Sequence, residues 1–133
     1  CTDEQFIGRA SLDVTGTLPT PDEVTAFAAD ASPDKRAKLI DRLLERPEYG
    51  YYFAAKWADV LRVRRRPNDN TRGAAGTFAF HGWITQAMAT DVPYTEFVRG
   101  ILTGSGTDVS HPPTAWYREL TKPEQLVDDV SQV

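Results

Sequence analysis

The sequence predicts an all-α fold, a compact bundle of six to seven short-to-medium helices with two longer loops. Three observations carry this. Apolar residues recur at spacings of three and four along most of the chain, which is the helical period. No stretch alternates apolar and polar residues for long enough to mark a half-buried strand. Three segments, "TPDE" at Thr20, "SPDK" at Ser32 and "TKPE" at Thr121, place a Ser or Thr just before a proline, where a helix begins.

Taken in order, Phe6, Ile7, Ala10 and Val14 share one face of a first helix, about residues 3–14. Gly16 is placed to end it in the left-handed conformation, and Leu18 to pack against the start of the next. Thr20, Pro21 and Glu23 then read as a capping box opening a short second helix, about 21–30, whose buried face is Val24 and Phe27. A third helix, about 33–46, carries Leu39, Ile40, Leu43 and Leu44. A fourth, about 48–65, carries Phe53, Trp57, Val60, Leu61 and Arg64, with Tyr49 one turn earlier. Phe80, Trp83, Ile84, Ala87 and Met88 mark a fifth at about 78–90, and Phe97, Val98, Ile101 and Leu102 a sixth at about 94–103. Leu126, Val127 and Val130 begin a seventh at about 122, read as truncated at Val133. Between them, 66–77 and 104–121 have the Pro, Gly, Asn and Asp content of loops.

At 133 residues the chain is read as a single helical domain, 1–133, and as a fragment of a larger multidomain protein. A formal net charge of −4 opposes binding to nucleic acid or anionic lipid. No apolar run reaches the ~20 residues that a membrane-spanning helix needs. The single cysteine, Cys1, forms no internal disulfide, and whether it is a lipidated first residue or an internal one stays open.

Candidate chemistry is sparse. Arg62 to Arg66, "RVRRR", bring four arginines to a helix end, where they suit the dipole and the last carbonyls; anion binding is the sharper alternative. Asp59 and Arg62, three apart and beside Trp57, are spaced to pair on one face, as are Glu96 and Arg99. His81 is expected packed and hydrogen-bonded, and His111 lies in a loop far in sequence from any second ligand. Neither belongs to a metal-spaced set, and no metal or catalytic residue is assigned. "HPPTAWYREL" presents Trp116, Tyr117 and Arg118, residue types common at binding hot spots and sugar-stacking sites. The plainer reading is that they seal the loop onto the helices.

Five ordered segments, "LDVTGTLPTPDEVTAFAAD", "KLIDRLLERPEYG", "KWADVLR", "WITQAMATDVPYTEFVRGILTGSG" and "PPTAWYRELTKPEQLVDDVSQV", make the chain resemble a helical domain of unknown function in exported planctomycete proteins, named for its association with cytochrome-c-like modules. "RRRPNDNTRGAAG" departs from the stretch that family usually has there. The resemblance implies export to the periplasm or cell envelope, neighbouring domains as partners, and a link to electron transfer or polysaccharide breakdown. It also marks Trp57, Asp59 and Arg62 as site candidates. The leading expectation is a non-catalytic structural or docking module. The alternative is a polysaccharide-directed hydrolase or lyase using Asp59 and a second carboxylate.

No cofactor is expected within the chain, and haem c only in a segment beyond Val133. Covalent haem attachment takes two thiols at C-x-x-C spacing followed by a histidine, and the chain has one thiol. Expressed in a host with cytochrome c maturation, residues 1–133 are expected to stay colourless. A covalent Soret band in this chain would refute the expectation.

Overall fold

The computed structural model describes residues 1–65, 71–118 and 122–132. Among them are seven α-helices and one 3-10 helix, with no strand, so the fold is all-α. The chain divides into two compact units, Cys1–Phe53 and Ala54–Val133. The division falls inside one helix.

In the first unit α1 (Asp3–Thr15), α2 (Pro21–Ala29) and α3 (Lys35–Leu44) precede the first half of α4 (Pro47–Val60). Helices α2 and α3 both pack on α1, enclosing Ile7, Phe27, Leu39 and Leu43. The starts of α1 and α2 are explained locally. Thr2 and Gln5 form a capping box that the sequence reading passed over, and Thr20 and Glu23 form the expected one, with Pro21 inside it. Gly16 ends α1 at φ 69°, its N–H donating to the Leu12 carbonyl at 3.1 Å. The position is doubly restricted, because a Cβ there would also meet the Tyr52 ring.

Two expectations in this unit fail. Leu18 is 72% exposed and does not pack against α2; the residue adjoining the cap is Pro19. Ser32 does not cap α3. Its N–H donates to the Asp30 carboxylate and its carbonyl accepts from Lys35, so the cap position passes to Asp34, which makes no side-chain cap bond. A local turn has taken the serine's polar groups.

In the second unit the remainder of α4 is followed by α5 (Thr71–Ala89), α6 (Tyr94–Leu102), the 3-10 helix Pro112–Arg118 and α7 (Pro123–Gln132). The fourth helix ends at Val60, not 65. Arg62 adopts φ 52°, its N–H bonds the Asp59 carbonyl at 3.1 Å, and the Val63 N–H bonds the Ala58 carbonyl at 2.7 Å. This is a Schellman ending with arginine where glycine is usual. Asp91 (φ 49°) closes α5 in the same way, with Val92 bonding Ala87 at 3.0 Å. Val63 and Val92 both pack on the core.

The larger correction concerns α5, which starts at Thr71 where a loop was expected. Glycines at 73 and 76 read as loop punctuation, yet both lie against the distant segment from Asp108 to Arg118. The Gly73 carbonyl accepts from Arg118, and the Asp108 carboxylate occupies the space a side chain at Gly76 would need. The 104–121 loop is likewise partly helical, since Pro112–Arg118 packs on α5 and α6. Thr121, expected to cap α7, lies outside the described residues, as do positions 66–70 of the expected loop.

Replacing Gly16 by Ala should lower unfolding free energy by about 2 kcal/mol, since a side chain disfavours this conformation and the Tyr52 ring must also shift. Chemical denaturation followed by circular dichroism checks this, and an unchanged midpoint would contradict the double role.

Candidate functional site

Three aromatic rings from three helices organise the second unit. Phe97 of α6, 1% exposed, lies between Trp57 of α4 (centroids 5.0 Å, edge-on) and Trp83 of α5 (5.2 Å, stacked). Trp57 is half-buried and continues outward to Tyr94 at 6.2 Å, which is 57% exposed. Together with Leu102 and Trp116, the rings of Trp57, Tyr94 and Phe97 line a shallow apolar groove of about 70 Å³. The groove brings the candidates Trp57 and Trp116 together. Tyr94 and Leu102 were not singled out from sequence, because each lies at an end of α6 and looks like an ordinary member of its face.

Trp116, Tyr117 and Arg118 do seal their segment. Trp116 is 4% exposed, so its faces are occupied by packing rather than free to stack on a sugar. The Tyr117 hydroxyl donates to the Leu102 carbonyl at 2.7 Å, and burial pushes its pKa up. Arg118 spreads its guanidinium over the Gly73 carbonyl and the Thr77 hydroxyl, both at 3.0 Å, with the Asp108 carboxylate at 4.0 Å. These bonds hold the end of the long connection against α5.

Asp59 and Arg62 do not form the expected ion pair among the described interactions. The reason is the helix ending: Arg62 has left the α conformation, so the three-residue spacing no longer aligns the two side chains. Asp59 is exposed and lines none of the described concavities. Glu96 and Arg99 likewise show no pair. Arg62, Arg64 and Arg65 are exposed or partly so, and Arg66 lies outside the described residues. His81 is half-buried in an open hollow beside Phe78, which is 73% exposed, and its ring makes no hydrogen bond among the described residues. The packed, bonded histidine expected there is not formed. His111 is exposed, its Nδ1 3.3 Å from the Ser110 hydroxyl. Among the described residues no three His, Cys, Asp or Glu side chains gather to hold a metal.

The perturbed carboxylates sit elsewhere, in the first unit. Glu23 is held below the usual carboxylate range first by the Thr20 N–H (2.7 Å) and then by the Arg46 guanidinium. Asp3 is lowered by Lys35 (2.7 Å) and Arg36 (2.9 Å), and Asp30 by its bonds to Ser32. Glu23 and Asp30 line one cavity together. Both are stabilised as anions, so neither is prepared to give up a proton as a general acid.

A family model described as PSCyt2, a protein of unknown function (DUF1549), matches residues 1–131. The chain belongs to this family. The name carries the planctomycete and cytochrome association that the sequence segments implied. No curated protein and no solved structure matches the chain. Among the described residues of this PSCyt2 domain, no helix is long and apolar enough to cross a membrane.

The charge distribution sets a pH dependence. The folded pKa values of Asp3, Glu4, Glu23 and Asp30 lie below their ordinary values. Their contribution is therefore present above about pH 4, the ordinary carboxylate range, and is lost as pH falls through the lower folded values. All four lie in the first unit, while Trp57, Trp83 and Trp116 all lie in the second. On acidification, helical circular dichroism should fall before tryptophan emission changes. Coincident transitions would count against this, and Glu23→Gln should reduce the interval.

Proposed function

We propose that this PSCyt2 domain is a non-catalytic docking module of a larger exported protein, seating a cytochrome-like neighbouring domain at the periplasm or cell envelope. The observation that carries this reading is the groove between α4, α6 and the 3-10 segment. Its walls are Trp57, Tyr94, Leu102 and Trp116, aromatic and aliphatic side chains of the kind that anchor protein interfaces. Leu102 is 41% and Tyr94 57% exposed, so large apolar surface meets solvent at the rim of an otherwise filled core. The family's name supplies the class of neighbour, and the redox link follows from that neighbour rather than from chemistry within these residues.

The hydrolase reading finds less support. Glycoside hydrolysis uses two carboxyl groups across a cleft, one of them with a raised pKa. Asp59 stands exposed on α4, away from the groove. The two carboxylates that do share a cavity, Glu23 and Asp30, are both lowered. A polysaccharide remains a substrate for a neighbour in this reading, not for the groove itself.

The test is binding of the chain to a cytochrome-like module supplied as a separate protein, followed by tryptophan fluorescence and calorimetry. Leu102→Glu, a change at an exposed position, should weaken binding at least tenfold while leaving circular dichroism unchanged. Asp59→Asn should leave it unaltered. Equal affinity for wild type and Leu102→Glu would remove the groove from the interface.

A further inference from the structure

The first unit holds a cavity of about 310 Å³ that the docking reading does not use. It exists because α2 and α3 each pack on α1 more than on one another, leaving a cleft floored by Phe27 and Leu43. Benzene fills an engineered cavity of roughly 150 Å³, so this one takes a ring with a short arm.

Deep in the cavity is Ser11, 2% exposed. Several threonines in or just after these helices bond the carbonyl four residues back, as Thr15, Thr25, Thr77, Thr85, Thr90 and Thr103 do at 2.8–3.1 Å. The Ser11 hydroxyl makes no such bond and no other among the described residues. No fully occluded side-chain oxygen or nitrogen among them lacks a partner, so this hydroxyl is open to the cavity. A hydroxyl is both donor and acceptor, and a ligand atom placed here would take up hydrogen-bonding capacity that no protein group uses.

Around the cavity stand four charges, of which three are engaged. Arg46 pairs with Glu23, and Asp30 accepts from the Ser32 N–H at 2.8 Å. Arg42, in the last turn of α3, lines the same cavity, is exposed, and makes no bond among the described residues. The open groups are thus a deep hydroxyl, apolar walls and one guanidinium suited to a carboxylate.

We propose that this cavity binds small aryl carboxylates bearing a hydroxyl at the far end of the ring. The carboxylate pairs with Arg42, the ring lies on Phe27 and Leu43, and the distal hydroxyl bonds Ser11. No covalent step is involved. The site is independent of the docking groove, and either can fail without the other.

The test is calorimetric titration of the intact chain with 3-(4-hydroxyphenyl)propionate, 3-phenylpropionate and 3-(4-hydroxyphenyl)propanamide. Binding of the first should exceed that of the second about fivefold, the worth of one hydrogen bond, and that of the uncharged amide more than tenfold. Ser11→Ala should erase the first difference and leave thermal stability unchanged, since the hydroxyl bonds no protein group. Arg42→Gln, at an exposed position, should erase the second. Ala26→Trp, filling the cavity from an exposed site, should abolish binding with circular dichroism retained. Failure of the hydroxylated acid to bind at millimolar concentration overturns the proposal. So does binding that the three ligands and the Ser11 and Arg42 variants share equally.

Discussion

The second unit depends on Phe97 lying between Trp57 and Trp83. One ring comes from each of α4, α5 and α6, so a single cluster fixes three helices that short-range sequence signals leave free to move relative to one another. Such ring contacts add about 0.5–1.5 kcal/mol each beyond the area they bury. The groove is the outer margin of the same cluster: Trp57 belongs to both, and its position is set from within. Any partner seated there would read a surface whose geometry is determined by the core.

The first unit is held differently. Its apolar core is smaller, and its ends are tied by charge: Asp3 to Lys35 and Arg36, and Glu23 to Arg46. The cations also lie over rings, Lys35 over Phe27 at 5.2 Å and Arg36 over Phe6 at 4.7 Å. Exposed ion pairs of this sort contribute little singly, but here each carboxylate also sits in the first turn of a helix. Aromatic packing governs one unit, and helix-end electrostatics has a greater share in the other.

What could be read from the sequence was what depends on neighbours in the chain. The three-and-four spacing located the seven α-helices of the described residues, and Thr20 with Glu23 and Gly16 behaved as their local chemistry dictates. The start of α5 was hidden because Gly76 is explained only by the Asp108 carboxylate, more than thirty residues away, and nothing nearby in sequence marks the Gly73 carbonyl as the acceptor for Arg118. The end of α4 was hidden because arginine rarely takes the left-handed turn that Arg62 adopts. Of the candidate site, Trp57 and Trp116 were recognisable as aromatic anchors, but their convergence with Tyr94 and Leu102 is a tertiary fact. Ser11 gave no signal at all, since a lone serine within a helix differs from any other until its missing bond is seen.

The helical glycines of α1, α5 and α6 also bear on efforts to raise thermostability. Exchanging helical glycine for alanine is a standard way to stiffen a chain, and it suits Gly8 and Gly82, where an added methyl group would meet nothing. At Gly76 the same exchange would drive the methyl into the Asp108 carboxylate, and at Gly100 it would come within 3.0 Å of the Trp83 ring. Two glycines in this chain are expendable hinges of composition, while two are sockets into which distant side chains are plugged.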